Sequence, residues 1–99
     1  MTDLPDGRLY LGGDWVTGGG DEITSLFPAD GSLNQVLRGA SAEDTDRAIA
    51  AAKTAQADPA WRGLKPHDRA RILHRIADGI EANTARISQI QSRDTGKTL

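Results

Sequence analysis

The spacing of apolar positions along the chain changes near Ser41. Before Ser41, short apolar runs are separated by turns rich in glycine and aspartate, a pattern that favours β-hairpins. After Ser41, apolar residues recur at intervals of three and four, which is typical of amphipathic helices. The pattern predicts a small antiparallel β unit followed by two to three helices, with too little chain on either side of Ser41 for a domain boundary.

The β unit is predicted to consist of two hairpins. Residues 8–16 place a Gly-Gly pair between two apolar stretches, and such a pair supplies the positive φ angles of a tight two-residue turn. Residues 22–27 and 32–38 are predicted to be strands joined by a Pro-Ala-Asp-Gly turn at 28–31. Hairpins of this size are only marginally stable alone, so we expect the β unit to pack against another part of the protein.

Ser41 marks the start of the first predicted helix. Its side chain can accept a hydrogen bond from the backbone N–H of Asp44, as an N-cap does. The helix is expected to run to about Gln56. Glu43 and Arg47 are spaced for an i,i+4 ion pair worth roughly 0.2–0.5 kcal/mol.

Two more helices are predicted after a proline break at Pro59. Trp61 lies in the connector and is expected to fill a gap between helices. Pro66 opens the second helix at its first position, Asn83 is predicted to cap the third helix, and Gly96 to end it. The apolar faces of these two helices consist of Ala70, Ile72, Leu73, Ile76, Ala77, Ile80, Ile87 and Ile90.

The chain has few side chains with which to build an interior. Hydrophobic residues make up 37% and aromatic residues 4% of its 99 residues. For so small a unit, the free energy of apolar burial is nearly cancelled by conformational entropy of roughly 1.5 kcal/mol per ordered residue. We therefore expect Trp15, Ile76, Ile80 and Ile90 to be partly exposed when the segment stands alone.

Charge and cysteine content exclude several functions. A formal net charge of −2 gives no reason to expect a nucleic acid or an anionic membrane as partner. The absence of cysteine excludes disulfides, thiolate metal sites and a cysteine nucleophile within these residues. No apolar run is long enough to span a bilayer. The acidic residues 1–7, predicted to be disordered, do not form a secretory signal, so the cytoplasm is the expected location.

Histidines and carboxylates on the second predicted helix are weak candidates for chemistry. His67 and His74 lie seven residues apart, whereas zinc sites on one helix usually use histidines four residues apart plus a further ligand. Asp78 could pair with His74, and Asp68 and Glu81 could suggest paired carboxylates. Arginines alternate with these residues, which favours a solvated polar face for all of them.

Gly96-Lys97-Thr98 has the sequence of the end of a phosphate-binding loop, but its context differs. Such a loop needs a glycine where Gln91 stands, and it leads from a strand into a helix. The glycine run at 18–20 lacks the spacing of a dinucleotide fingerprint. Residues 17–21, which contain this run, are predicted to be a flexible link. We therefore assign no catalytic, cofactor-binding or metal-binding residue within this chain.

Five stretches, in the same order, resemble the N-terminal segment of the aldehyde dehydrogenase superfamily. They are Tyr-Leu-Gly-Gly-Asp-Trp-Val at 10–16, Phe-Pro-Ala-Asp-Gly at 27–31, the first helix at 40–52, Trp-Arg followed by Asp-Arg-Ala-Arg-Ile-Leu at 61–73, and Asp-Thr-Gly-Lys at 94–97. The chain departs from the family pattern at Phe27, where asparagine is usual, at Asp30, where threonine is usual, and at Asp94, where glutamate is usual.

The resemblance implies an α/β fold in which residues 8–99 form the incomplete N-terminal portion of a Rossmann-like coenzyme domain. It implies NAD- or NADP-dependent oxidation of an aldehyde to a carboxylic acid by a homo-oligomeric enzyme, through a cysteine nucleophile and a glutamate that activates water. In the family, those two residues lie beyond the position that matches Leu99. The chain alone is therefore expected to be inactive, with the rest of the enzyme as its partner.

The resemblance also implies one candidate ligand site. Some family members bind a monovalent cation through backbone carbonyls that match Ser25 and Leu26. The remaining ligands are expected downstream, so the site would be incomplete in this chain. The residues that select the aldehyde also come later in the family.

Two other functions are consistent with the residues. One is a small helical interaction module, or a subunit of a split enzyme, that binds a larger partner through an exposed helical face. The other is a nucleotide-phosphate binder, which Gln91 nearly excludes. A compact, cooperatively unfolding monomer with protected apolar side chains would argue against a segment of an enzyme.

Overall fold

The structure, a computed structural model, describes residues 4–99. In this part of the chain it contains two β-hairpins followed by four helices. The strands are β1 (Leu9–Leu11), β2 (Asp14–Val16), β3 (Glu22–Leu26) and β4 (Leu33–Arg38), and the helices are α1 (Ala42–Ala57), α2 (Pro59–Arg62), α3 (Pro66–Ala82) and α4 (Thr84–Thr95). The predicted α+β arrangement of hairpins followed by helices is confirmed, and the additional helix is the single turn α2.

The N-terminus is described from Leu4 onwards. Residues 1–3, which begin the segment predicted to be disordered, lie outside the described residues. Asp6 Oδ2 lies 2.8 Å from Arg8 Nη2, and a Cβ added at Gly7 would overlap the Leu37 side chain of β4. Residues 4–7 therefore approach the second hairpin. The disorder of residues 1–7 stays a prediction.

The first hairpin forms around a tight glycine turn. β1 and β2 pair antiparallel, with Tyr10 opposite Trp15. Gly12 and Gly13 have φ angles of 60° and 89°, which are the positive values that a type I′ turn requires. The rings of Tyr10 and Trp15 pack on each other with their centroids 4.9 Å apart.

The second hairpin contains an irregularity next to its turn. β3 and β4 pair antiparallel, and their register shifts between Ser25 and Leu26, as at a β-bulge. In the turn, the Gly31 N–H donates a 2.8 Å hydrogen bond to the Phe27 carbonyl, and the Phe27 N–H donates one of 2.8 Å to the Ser32 carbonyl. The predicted Pro-Ala-Asp-Gly turn is confirmed.

α1 begins with the predicted capping box and ends at Ala57. The Asp44 N–H donates to Ser41 Oγ, and the Ser41 N–H donates to Asp44 Oδ2. Each of these hydrogen bonds is 3.0 Å long. The predicted pairing of Arg47 with Glu43 is wrong, because Arg47 Nη1 lies 3.6 Å from Asp44 Oδ1. The cap holds the Asp44 carboxylate at the start of the helix, where Arg47 reaches it from the next turn.

The glycine run after the first hairpin is packed against other backbone, so the prediction of a flexible link is wrong. The Gly20 N–H donates to the Gly39 carbonyl over 2.9 Å, and the Gly19 N–H donates to Asp44 Oδ2 over 2.8 Å. A Cβ added at Gly18 would overlap the Gly39 carbonyl. Glycine is needed here because the two backbone segments approach too closely for any side chain.

α2 is a single helical turn in a region that the sequence predicted to be a connector. Asp58 caps it by accepting a 2.9 Å hydrogen bond from the Ala60 N–H. Trp61 is 38% exposed; its Nε1–H donates to Gln56 Oε1 over 3.2 Å, and the Arg69 guanidinium lies 5.0 Å from its ring centroid. Trp61 therefore links α1, α2 and α3 at the surface instead of filling a buried gap.

Asn83 is the N-cap residue of α4, as predicted, but its side chain bonds to α3 instead of capping α4. Its Nδ2 donates a 2.8 Å hydrogen bond to the Gly79 carbonyl, and it makes no side-chain cap bond to α4. Thr84 Oγ1 also donates backwards, to the carbonyls of Ile80 and Glu81. Both side chains satisfy carbonyls that α3 leaves free at its C-terminus.

The segment has no buried apolar interior. None of the apolar residues in the described range 4–99 is buried. As predicted, Trp15, Ile76 and Ile80 are exposed, by 59%, 54% and 54%, and Ile90 is half-buried. The radius of gyration is 17.0 Å, whereas a compact domain of about 100 residues has one of about 13 Å. The described elements therefore form an extended arrangement without a shared apolar core.

Candidate functional site

The second hairpin and the end of α4 meet at four residues, Ser25, Asn34, Arg93 and Asp94, which we call the hairpin–helix junction. Ser25 Oγ donates a hydrogen bond of 2.8 Å to Asp94 Oδ1. Asn34 Nδ2 donates to Ser25 Oγ over 3.2 Å and to the Arg93 carbonyl over 2.7 Å. The junction thus connects β3 and β4 to the last turn of α4 by a chain of side-chain hydrogen bonds.

The amide of Asn34 leaves one acceptor free at the junction. Its Nδ2 donates to two oxygens, which fixes the orientation of the amide group. Its Oδ1 is enclosed and has no hydrogen-bond partner among the described residues. Buried polar atoms in proteins are nearly always hydrogen-bonded, so this oxygen is an exception among the described residues.

Arg93 and Gly96, at the end of α4, contact the turn of the second hairpin. The Arg93 guanidinium lies 4.3 Å from the centroid of the Phe27 ring, within the range of a cation–π contact. Gly96 ends α4 in the left-handed conformation, with φ of 75°. A Cβ added at Gly96 would lie 3.0 Å from Pro28 Cβ, so the helix end and the turn are in close contact.

An open groove of about 470 Å³ lies beside the junction, and we call it the junction groove. It is bounded by the second hairpin, α4 and residues 4–7. One end is polar and includes the junction side chains of Ser25, Asn34 and Asp94. The apolar part is lined by Leu4, Pro5, Leu37, Ile87 and Ile90.

The junction does not form a nucleophilic centre. The Ser25 hydroxyl donates to a carboxylate, and no histidine contacts it that could act as its general base. Within residues 4–99, no group of three or more histidine, cysteine, aspartate or glutamate side chains is placed to hold a metal. None of the helices in the same range is long and apolar enough to cross a membrane.

The two histidines lie away from the junction, on α3. His67 Nε2 is 3.6 Å from Asp68 Oδ1. His74 lines a shallow surface groove together with Arg71 and other α3 residues, and in the described part of the chain no ion pair joins it to Asp78. The side chains of His67, His74 and Asp78 are exposed, which agrees with the interpretation of these residues as a solvated polar face.

The glycine motifs do not form a nucleotide cradle. Gly96 ends a helix, and the Lys97 N–H that follows donates to Thr95 Oγ1 over 3.3 Å. The predicted role of Gly96 as a helix-ending residue is confirmed. At the glycine run, Gly18 and Gly20 face the backbone carbonyls of Gly39 and Ala40, so nothing is left for a pyrophosphate to approach. These two glycine motifs therefore do not fit the pyrophosphate of NAD or NADP.

The Asp94 carboxylate contacts the side chain of Ser25, which the resemblance indicated together with Leu26. Those two residues flank the bulge of β3, and the Asp94 side chain lies on Ser25. Sequence reasoning used Asp94 only to place the helix-ending turn and did not consider Asn34. Their contacts join residues 69 and 59 positions apart, and no local spacing indicates such contacts.

Comparison with known proteins identifies relatives. Residues 15–99 match the profile of the aldehyde dehydrogenase family. Over its whole length, the chain is 38% identical to a betaine aldehyde dehydrogenase from Mesorhizobium japonicum and 36% identical to another from Rhizobium etli, and it covers 20% of each.

A solved structure is similar as well. It is an NAD-dependent benzaldehyde dehydrogenase from Corynebacterium glutamicum, with 31% identity and a TM-score of 0.86 over 96% of this chain and 21% of that one. The chain thus spans about one fifth of the length of the relatives that it matches. Because the family profile matches residues 15–99, this chain belongs to the aldehyde dehydrogenase family.

Proposed function

We propose that this chain is the N-terminal part of an NAD- or NADP-dependent aldehyde dehydrogenase that oxidises an aldehyde to a carboxylic acid. The observation that carries the proposal is the combination of the family match with a segment that buries no apolar residue within its described range. A unit that spans one fifth of the length of its relatives and exposes its apolar helix faces is suited to packing within a larger fold.

In the proposed enzyme, residues 8–99 belong to the coenzyme-binding domain without contacting the coenzyme. The chain contains no cysteine, so the nucleophile must come from elsewhere in the enzyme. The resemblance places the glutamate that activates water beyond residue 99 as well. NAD or NADP accepts the hydride when it is bound. The residues described here hold the second hairpin against α4 and take no part in that step.

We also propose that the Ser25 and Leu26 carbonyls contribute to a monovalent-cation site in the full-length protein. The supporting observations are that Ser25 and Leu26 flank the bulge of β3 and that the Asp94 carboxylate accepts a hydrogen bond from the Ser25 side chain. Oxygen donors of this kind suit hard cations. Stabilisation of the full-length protein by potassium relative to tetramethylammonium, reduced in Asp94→Asn, would test this site.

The proposed enzyme is a cytoplasmic homo-oligomer whose partner is the remainder of its own chain. The modest net charge of −2 gives this segment no electrostatic reason to bind nucleic acid. Sedimentation of the full-length protein would give the number of subunits, and fractionation of cells would give its location.

The decisive experiment begins with the DNA that follows codon 99. An open frame that encodes a cysteine-containing domain is expected. The protein from that frame should form NADH or NADPH when given an aldehyde, with betaine aldehyde and benzaldehyde in the substrate panel. The isolated 99-residue chain is the control and should be inactive.

A full-length protein that is folded yet reduces neither coenzyme with any aldehyde would contradict the proposal. A compact isolated chain that unfolds cooperatively and binds a separate protein saturably would instead support the interaction module or the split enzyme. The two results separate the competing functions, because only a module or subunit with a fold of its own would unfold cooperatively and bind its partner as an isolated chain.

A further inference from the structure

The sequence contains three aspartates that are followed directly by glycine, in the pairs Asp6-Gly7, Asp30-Gly31 and Asp78-Gly79. Such an aspartate can isomerise, because the backbone nitrogen of the next residue can attack the side-chain carboxyl and glycine has no Cβ to hinder the approach. The attack needs a nitrogen that can lose its proton and a carboxyl that can reach it. The three pairs lie in different surroundings, so they should differ in reactivity.

The second and third pairs are protected at the attacking nitrogen. Gly79 lies inside α3, where each N–H is hydrogen-bonded to the carbonyl four residues earlier. The Gly31 N–H donates a 2.8 Å hydrogen bond to the Phe27 carbonyl in the turn of the second hairpin. A hydrogen-bonded N–H exchanges its proton only when the structure opens locally, so both nitrogens are poor nucleophiles in the native fold.

The pair of Asp6 and Gly7 lacks this protection. Among the described residues, the Gly7 N–H has no hydrogen-bond partner. The Asp6 side chain is 60% exposed, and its Oδ1 lies 3.4 Å from the Arg8 backbone nitrogen, so the carboxyl is turned towards the backbone that follows it. The Arg8 guanidinium pairs with Asp6 Oδ2 over 2.8 Å, but an exposed ion pair of this kind holds a carboxylate only weakly.

We propose that Asp6 is a site of isoaspartate formation in the native protein, whereas Asp30 and Asp78 are protected. The Gly7 nitrogen loses its proton and bonds to Asp6 Cγ, and the carboxyl hydroxyl leaves and combines with a proton as water, which closes a succinimide ring. Water then adds to one of the two ring carbonyls. Opening of the N–Cγ bond restores aspartate. Opening of the bond between the nitrogen and the main-chain carbonyl carbon gives isoaspartate, in which the main chain runs through Cβ and Cγ.

Isoaspartate at this position alters the contact between residues 4–7 and the second hairpin. The Gly7 backbone lies against the Leu37 side chain, since a Cβ added at Gly7 would overlap it. The isomerised residue adds one carbon to the main chain directly before Gly7 and leaves a free carboxylate on Cα. It therefore shifts Leu4 and Pro5 relative to Leu37, and these three residues line the junction groove together.

Labelling of the full-length protein in heavy-oxygen water tests the proposal. Each cycle of ring closure and hydrolysis leaves one heavy oxygen in the polypeptide, and fragment masses locate it on the aspartate. Digestion with trypsin in ordinary water separates the three pairs, which fall in residues 1–8, 9–38 and 76–86. The rate of each pair in the native protein is divided by its rate in the unfolded protein, which cancels the intrinsic effect of the flanking residues.

Asp6 should react in the native protein within about threefold of its unfolded rate, because no local opening is needed, and Asp30 and Asp78 at least about tenfold more slowly than theirs. An aspartate-specific protease, which does not cleave before isoaspartate, should lose its cleavage at Asp6 in parallel. Native protection of Asp6 equal to that of Asp30 and Asp78 would overturn the proposal. Native reaction of all three at their unfolded rates would overturn it as well.

Asp6→Glu is the matched control. Its carboxylate can still pair with Arg8, but the extra methylene requires a six-membered ring, which closes much more slowly. The label should therefore disappear from residues 1–8, while residues 9–38 and 76–86 are labelled as before. Label that persists in residues 1–8 of this variant would show that it arises outside Asp6, and the proposal would be wrong. The measurement follows a covalent change in the polypeptide, so its failure leaves the proposed function standing.

Discussion

The hydroxyl of Ser25 donates a hydrogen bond of 2.8 Å to the carboxylate of Asp94 across 69 positions of sequence. It joins the bulged end of β3 to the last turn of α4. Without a buried interior in the described range, the segment depends on a few such specific links to orient its elements. The link is therefore a natural place to measure how strongly the hairpin and the helix are coupled.

Ser25→Ala and Asp94→Ala should show a coupling free energy of about 0.5–1.5 kcal/mol in a double-mutant cycle, because each removes one partner of the same hydrogen bond. The cycle is measured by urea unfolding of the full-length protein. The control cycle combines Ser25→Ala with Asp78→Ala on α3, and those changes should add to within about 0.5 kcal/mol. Additivity in the Ser25–Asp94 cycle would show that the bond contributes nothing in solution.

Gly96→Ala should destabilise the protein by about 1 kcal/mol or more, because the residue has φ of 75° and its new Cβ would approach Pro28. The matched control is Gly79→Ala within α3, where a Cβ meets nothing within 4 Å. That change should stabilise by roughly 0.5–1 kcal/mol, because alanine is the better helix former. Equal effects of the two substitutions on the urea midpoint would contradict the assigned helix end.

Arg69→Lys should cost about 1–2 kcal/mol of unfolding free energy, since lysine cannot both stack on an aromatic ring and bind two carbonyls. The Arg69 guanidinium lies 5.0 Å from the Trp61 ring centroid and donates to the carbonyls of Trp61 and Arg62. Arg71→Lys is the control, because its guanidinium is mostly exposed and contacts only Asp68 at 3.5 Å. It should change the stability by less than about 0.5 kcal/mol.

The Arg69→Lys variant also offers an optical check. Removing the guanidinium from the ring face changes the surroundings of Trp61, so the tryptophan emission should shift relative to the wild type. Arg71→Lys should leave the emission unchanged. A shift in both variants would indicate a general loosening of α3 instead of a specific contact.

Asp44 should make the protein acid-sensitive. Hydrogen bonds from the Gly19 N–H, and then from the Ser41 N–H, hold the pKa of the Asp44 carboxyl below its ordinary value of 3.8. Because the folded-state pKa is the lower one, the stabilisation is complete above the unfolded-state pKa and is lost as the pH falls through the folded-state pKa.

Asp44→Asn should remove this part of the pH dependence, so that the stability gap between wild type and variant is constant at higher pH and narrows as the pH falls from neutral to below the ordinary carboxyl pKa of 3.8. Asp46→Asn, an exposed carboxylate on the same helix, is the control. Thermal midpoints at a series of pH values provide the measurement. A constant gap between wild type and Asp44→Asn across that range would show that the carboxylate charge is not what Gly19 and Ser41 bind.

The elements predicted correctly are those whose signal lies within a few residues. The capping box needs Ser41 and Asp44 three positions apart, and the end of α4 needs a glycine after the last apolar residue. Two of the predictions that were wrong in whole or in part arose where two local partners compete. Arg47 could reach Glu43 or Asp44, and Asn83 could bind α3 or α4, and the choice depends on which groups the backbone already fixes.

The hairpin–helix junction could not be predicted in the same way. Asn34 lies within a strand, where the only local signal is an amide residue with low β propensity. Its partners, Ser25 and Arg93, are 9 and 59 positions away, and their approach depends on how the hairpin docks on α4. The resemblance to a family indicated Ser25, whereas Asn34 could be found only from its contacts in the tertiary structure.

The exposed helix faces described above have a consequence for biosynthesis. In the proposed enzyme, residues 1–99 leave the ribosome before the rest, at about 5–20 residues per second. Their apolar side chains, such as Trp15, Ile76 and Ile80, have no surface to dock on until later parts of the chain emerge. Until those later parts emerge, the exposed apolar side chains of this segment are available for binding by chaperones.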